Sequence, residues 1–233
     1  MGVESAIVQK GRLGVRAEIY VPEVISPAKR ERLAALGAQV VVTGAQYADA
    51  LAACEARQRE TGALMTHAYD QIEVVAGAGT LAREIELDAG TPDAVLVSVG
   101  GGGGLAGVAS WFAGRSRVIA LEPELAPTLH SARAAGMPVD VPVSGIAADS
   151  LGARRIGAIA WQVAQQHVAQ AELLSDAAII DAQRFLWAEF KLAVEPAAAL
   201  PLAALRSGVI RPREGEKICL IICGANLDPK TLA

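Results

Sequence analysis

The chain has 233 residues, 52% of them hydrophobic and 20% charged, with a formal net charge of −4. That composition describes an ordered globular protein able to bury a sizeable core, in one large domain or two small ones. It excludes the electrostatic footprint of a nucleic-acid or anionic-membrane binder, and no uncharged apolar run reaches the roughly 18 residues that a membrane span needs.

The opening MGVESAIVQKGRLG lacks the apolar stretch and small-residue cleavage site of a secretory signal. Ala6 stands where a myristoylation motif requires Ser or Thr. There are three cysteines, an odd number. Cys219 and Cys223 fall on one expected strand, where four residues span roughly 13 Å, beyond the reach of a disulfide. A reducing, cytoplasmic setting is expected.

Residues 2–13 read as a helix in mid-course, with no strand before it. RAEIYV (Arg16 to Val21) reads as a strand and Pro27 to about Leu36 as a helix, with Pro27 in its first turn and Gly37 at its C-cap. AQVVVTG is the next strand, followed by a helix from Tyr47 to Glu60. LMTHAYD is expected to be a strand leading into a loop, with a helix from about Thr80 to Leu87. DAVLVSV is a buried strand, then come five consecutive glycines and a helix from about Leu105 to Phe112. RVIALE is a strand and Pro127 to Ala135 a helix. The segment Met137 to Ser150 is the least regular, a candidate crossover. Helices from Arg154 to His167, Ser175 to Lys191 and Ala197 to Leu205 follow, and KICLIICG is a final buried strand. This alternation predicts an α/β fold of parallel sheets with helices on both faces, in three layers.

Gly100 to Gly104 lie between a strand and a helix, at the carboxyl end of a parallel sheet where ligands bind. A simple turn needs one or two glycines. Five expose bare N–H groups at a helix N-terminus, an arrangement suited to a phosphate. A P-loop is excluded, because no Gly-Lys-Ser/Thr follows. Gly102, Gly104 and Gly107 fit G-x-G-x-x-G, with Glu122 about where a ribose-binding acid would stand, so a nicotinamide dinucleotide remains one reading. Pyridoxal phosphate is the other.

Five segments, in order, resemble the fold-type-II, tryptophan-synthase-β-like pyridoxal-phosphate enzymes, and most closely the serine/threonine dehydratases and serine racemases. RAEIYVPEVISPAKRERLAALGAQVVVTG is similar to the strand–helix–strand unit of that family's small domain. THAYDQIEVVAGAGTLAREI resembles its H-P-F-D…G-Q-G-T segment, with Tyr69 for Phe and Ala78 for Gln. SVGGGGGLAG resembles its tetraglycine phosphate loop, EPAAALPLAAL its Glu-Pro-Ala-Gly-Ala helix start, and CGANLD its Ser-Gly-Gly-Asn-Val-Asp end. The resemblance implies two domains, residues 1–70 as the remainder of a small domain and 71–233 as an incomplete large, cofactor-binding one.

The same resemblance implies roles. Gly100, Gly101, Gly102, Gly103 and Gly104 would offer amides to the cofactor phosphate, and Cys223 would face the pyridine nitrogen. Glu122 corresponds to a carboxylate that helps hold a divalent cation in the racemases and some dehydratases. Ala126 could supply a carbonyl there, but Thr128 replaces the third ligand, an Asp, and no metal is expected. Glu195 matches the Glu-Pro-Ala glutamate or is an ordinary first-turn acid. Asp149 lies in a segment similar to one edging the substrate cleft. His67, His130 and His167 show no metal-ligand spacing.

The family's Schiff-base lysine, in a Ser-x-Lys context, and its Ser-Gly-Asn-His turn have no counterpart. None of Lys10, Lys29, Lys191, Lys217 and Lys230 follows a Ser two residues earlier. The opening helix resembles what comes after that turn, so an N-terminally truncated fold is expected. The expected function is a pyridoxal-phosphate-dependent serine/threonine dehydratase-like lyase acting on a small amino acid, with this chain inactive. The alternatives are an NAD(P)-dependent oxidoreductase built on Gly102–Gly107 and Glu122, or a non-catalytic anion-binding paralogue. A homo-oligomer is expected, with neither nucleic acid nor membrane as partner.

Overall fold

The computed structural model describes residues 14–227 apart from 24, 26, 46 and 226. The helix expected over 2–13, together with Asn226 and Asp228 of the CGANLD segment, lies outside the described residues. Two compact units divide the chain, Met1–Ala68 and Tyr69–Ala233.

In the first unit, β1 (Glu18–Val21), α1 (Pro27–Ala35), β2 (Gln39–Val42) and α2 (Tyr47–Thr61) follow one another. The two strands pair in parallel, Glu18 opposite Gln39 and Val21 opposite Val42. Val21 and Leu33 form the small core, with Ile19, Leu36 and Val40 packed against it. Arg57 of α2 donates to both carboxylate oxygens of Glu18, at 3.0 and 3.3 Å, and ties the helix to β1.

The second unit contains α3 (Ile72–Ala89), β3 (Ala94–Ser98), α4 (Gly103–Phe112), β4 (Arg117–Pro123), α5 (Thr128–Ala135), α6 (Ala158–His167), β5 (Val168–Leu174), α7 (Asp176–Phe190), α8 (Pro196–Arg206) and β6 (Ile218–Leu220). Its sheet runs β5-β4-β3-β6, with every pair parallel. Successive strand side chains point to opposite faces, and each face has its own core. Val95, Val97, Val118 and Ala120 pack with α3 to α6. Ala94, Leu96, Ile119 and Leu121 pack with α7 and α8. The two central strands, apolar at nearly every position, are therefore buried on both sides, giving the helix–sheet–helix layering that the apolar runs predict.

Four elements differ from the sequence reading, one of them the last strand, expected as buried over KICLIICG but formed by Ile218–Leu220 at the sheet edge and half-buried. LMTHAYD forms no strand: Leu64 is 81% exposed, and Asp70 is drawn away to cap α6. Helix α3 begins at Ile72, eight residues before the expected start, because Gly77 and Gly79 are accommodated within it. The sequence reading leaves 168–174 unassigned, and this segment is edge strand β5. Its Gln170 and Glu172 are tolerated because an edge strand has one side open to water. Among the described residues, no helix is long and apolar enough to cross a membrane.

Candidate functional site

Strand β3 ends at Ser98, and Val99–Gly102 lead into α4, with Gly102 at its N-cap in the left-handed region at φ +87°. The carbonyls of Gly100, Gly101 and Gly102 are engaged. Gly100 O accepts from the Thr128 hydroxyl at 2.7 Å, Gly101 O from Gly157 N at 3.0 Å, and Gly102 O from Ala106 N at 2.8 Å. Among the described residues, no amide of Gly100–Gly104 donates to a turn, loop or cap hydrogen bond. Within a trans peptide, C=O and N–H point in opposite directions. Holding the three carbonyls against the protein therefore turns the N–H groups of Gly101, Gly102 and Gly103 the other way.

What touches the glycines explains why side chains are absent. A Cβ on Gly101 would stand 2.3 Å from the Tyr69 ring, and one on Gly103 would be 2.6 Å from Tyr69 O. One on Gly102 would meet Ile156 at 2.5 Å, and one on Gly100 would lie 3.2 Å from Leu151 Cα. A Cβ on Gly104 would meet nothing within 4 Å. Asp70, beside Tyr69 in sequence, accepts from Ala158 N at 2.9 Å and Ile159 N at 3.0 Å, fixing the first turn of α6 and hence Gly157. The Tyr69–Asp70 pair thus packs and anchors the loop.

Cys223 follows β6 and lies near the Ser98 hydroxyl at the end of neighbouring β3. Ser98 donates to Ala197 O of α8 at 2.6 Å. Although Cys223 is exposed by surface area, the surrounding protein desolvates its sulfur, and this burial, reinforced by Glu195, pushes its pKa up. The thiol is neutral near pH 7. Glu195 is the N-cap of α8: its N–H donates to Gly224 O at 3.1 Å, and its side chain closes on Gly224. Cys223 and Glu195 are therefore neighbours. Ser98 is the residue that sequence reasoning missed, and its position as the last residue of β3, just before the loop, could have marked it.

Glu122, at the end of β4, is fully buried. Its Oε1 accepts from Leu129 N at 2.7 Å and its Oε2 from His130 N at 2.8 Å, and Oε1 also lies 2.9 Å from Thr128 Oγ, whose single proton it shares with Gly100 O. Burial raises its pKa against the opposing effect of these donors. Ala126 O accepts from Thr128 N at 3.2 Å. Both groups considered for a cation are thus engaged inside the protein, and this donor set does not fit a divalent ion. Among the described residues, no three His, Cys, Asp or Glu side chains group as metal ligands. The dinucleotide reading fails here too. Glu122 has no exposure with which to meet a ribose, and Gly107 packs on α3, where a Cβ would stand 2.5 Å from Gly79 N and Val75 O. Of the lysines whose side chains are described, Lys191 Nζ donates to Ala188 O and Lys217 Nζ to Ala89 O, both at helix ends. Asp149 lies two residues before the Leu151 that packs on Gly100.

A parallel sheet covered by helices on both faces, with a glycine loop at the carboxyl end of a central strand, has the tryptophan-synthase-β-like architecture. Residues 6–224 match the family model described as pyridoxal-phosphate dependent enzyme, and the chain belongs to that family. It is 34% identical over 224 residues to the L-threonine ammonia-lyase of Geobacter sulfurreducens, covering 95% of this chain and 56% of that protein. It is 33% identical to the phenylserine dehydratase of Ralstonia pickettii, covering 95% of this chain and 69% of the relative. The structure of maize serine racemase superposes with a TM-score of 0.90 at 29% identity, over 98% of this chain and 71% of that one. The chain therefore spans about half the length of the threonine ammonia-lyase it matches.

Proposed function

We propose that this chain is the cofactor-holding part of a pyridoxal-phosphate-dependent lyase of the serine/threonine dehydratase kind. The reaction eliminates the β-hydroxyl of a small amino acid such as L-serine or L-threonine, leaving an α-keto acid and ammonia. The observation that carries this reading is the polarised loop, with Gly100, Gly101 and Gly102 carbonyls tied back and the amides of Gly100–Gly104 left for an anion. Several amides at the start of α4 hold a phosphate dianion by charge-assisted hydrogen bonds, without a lysine or arginine. The open space at Gly104 fits such a ligand.

The neutral Cys223 thiol would face the ring nitrogen and leave it unprotonated. When bound, the cofactor supplies the electron sink that lets the α-proton and the β-hydroxyl leave. The proton-shuttling lysine is not among this chain's five lysines in any Ser-x-Lys context. Without that lysine, the chain binds cofactor without turnover. A two-domain division at residues 70/71, a homo-oligomeric state and a cytoplasmic setting belong to the same reading.

Titration of the purified chain with pyridoxal phosphate, followed by cofactor fluorescence with inorganic phosphate as competitor, tests the binding. Saturable binding displaced by phosphate is expected. Quenching by a nicotinamide cofactor in its place would overturn the assignment. Formation of α-keto acid from L-serine or L-threonine by the chain alone would refute its lack of turnover. A non-catalytic anion-binding paralogue, favoured by the missing Ser-x-Lys, would bind phosphate but show no preference for pyridoxal phosphate over it.

A further inference from the structure

Three loop carbonyls are tied back, and two of their partners are backbone amides. The third, Gly100, is held by a side chain, the Thr128 hydroxyl, whose single proton lies between Gly100 O at 2.7 Å and Glu122 Oε1 at 2.9 Å. Thr128 is fully buried, and so are Glu122 and Leu129 around it. No water reaches this cluster to replace a lost hydrogen bond. Pro127, the N-cap of α5, gives that helix no side-chain cap. Glu122 does so from β4 instead, taking the amides of Leu129 and His130 on its two oxygens while Oε1 also meets Thr128. A continuous chain of hydrogen bonds therefore runs from the α5 N-terminus through Glu122 and Thr128 to the loop.

We propose that Thr128 and Glu122 are positioning residues for the phosphate loop, the Thr128 hydroxyl holding the Gly100 carbonyl so that the Gly101 N–H faces the anion, and the Glu122 carboxyl locking Thr128 and the first turn of α5 with no divalent cation. The geometry follows from the peptide plane. Gly100 C=O and Gly101 N–H belong to one rigid unit, so an anchor on the first aims the second. Gly100 is an especially mobile residue to aim, having no side chain of its own to restrict it. Thr128 and Glu122 need not touch the anion, because they act through the loop. The cation is unnecessary because Glu122 and Ala126 O already have protein donors. This inference rests on the reading of Gly100–Gly104 as a phosphate cradle.

The test uses the full 233-residue chain, with inorganic phosphate and pyridoxal phosphate as probes, well below the melting temperature of each variant. Thr128→Val keeps the side chain's shape and deletes its hydroxyl. It is expected to weaken binding of both probes about tenfold, the scale of one lost buried hydrogen bond. Thr128→Ser restores the hydroxyl and is expected to bind within about twofold of wild type. A purely structural role would lower the melting temperature without this split between Val and Ser. Wild-type affinity is expected to be the same with chelator or with magnesium. Loss of binding in chelator, restored by magnesium, overturns the proposal. Equal affinity in Thr128→Val and wild type overturns it too, leaving the cradle intact. No binding of either probe by the wild type overturns both the cradle and this inference. Should Thr128→Val not fold, the wild type still decides. The Gly101 amide resonance must move when phosphate is added, and an unmoved resonance in a chain that binds phosphate refutes the proposal.

Discussion

Each glycine in the Gly100–Gly104 tract has a different neighbour, so substitutions there separate packing from binding. Gly101→Ala drives a methyl into the Tyr69 ring and Gly103→Ala into the Tyr69 carbonyl. Each is expected to destabilise by about 1–3 kcal/mol, the range for overpacking, read as a lower melting temperature. Gly104→Ala meets only open space. It is expected to melt near the wild-type temperature yet bind phosphate at least tenfold more weakly, because its methyl enters the volume assigned to the anion. Normal phosphate binding by Gly104→Ala would place the anion elsewhere. Five consecutive glycines made the need for bare backbone legible in the sequence. Which sides of the loop are packed and which is open was not, because Tyr69, Leu151 and Ile156 come from distant parts of the chain.

A second residue-scale outcome concerns Glu86. Hydrogen bonds from Arg115, then Thr91 and Trp111, hold its pKa down from an ordinary 4.5 to about 2. A depressed carboxyl contributes stability above its unfolded pKa and loses it as pH falls through the folded value. Melting temperature measured from pH 5 down to about pH 2 should therefore fall less steeply in Glu86→Gln than in wild type. Parallel curves would show that these partners do not couple to folding.

At the scale of elements, the crossing of α3 and α4 is set by Gly79 and Gly107. A Cβ at Gly107 would stand 2.5 Å from both Gly79 N and Val75 O, so Gly107→Ala must push the helices apart. It is expected to cost about 1–3 kcal/mol. Gly77, on the same α3, has nothing within 4 Å of its Cβ position. Gly77→Ala should stabilise by up to about 1 kcal/mol through helix propensity. Opposite shifts in denaturant midpoint check the pair. Such glycines read in a sequence as breakers, so the sequence alone points to a later start for α3 than the structure shows. They are tolerated because a neighbouring helix needs the room. Strand β5 escaped notice for the complementary reason. Its Gln170 and Glu172 break the apolar pattern, and only the sheet order shows that it lies at an edge where polar side chains reach water.

For the whole molecule, the chain is a partial counterpart of its relatives, covering 56% of one threonine ammonia-lyase and 71% of a serine racemase chain. A ligand that binds only the folded state raises stability with its concentration. Phosphate should therefore raise the melting temperature progressively, to about 2.7 kcal/mol of stabilisation at one hundred times its dissociation constant. A melting temperature independent of phosphate would argue against a preformed cradle.

The parallel α/β alternation of most elements, the central strands buried on both faces, the glycine loop and the missing Ser-x-Lys are local properties of composition and periodicity, and the sequence by itself determined them. It could also offer Glu122 for a metal or a ribose, since an acid at a strand's end is chemically free in a sequence. Tertiary structure alone decided otherwise. Folding brings Thr128, Leu129 and His130 onto that carboxyl and buries it, and it sets Tyr69 under Gly101 and Ser98 against Cys223. The use of a polar group depends on which partners replace water around it, and those partners are distant in the chain until it folds.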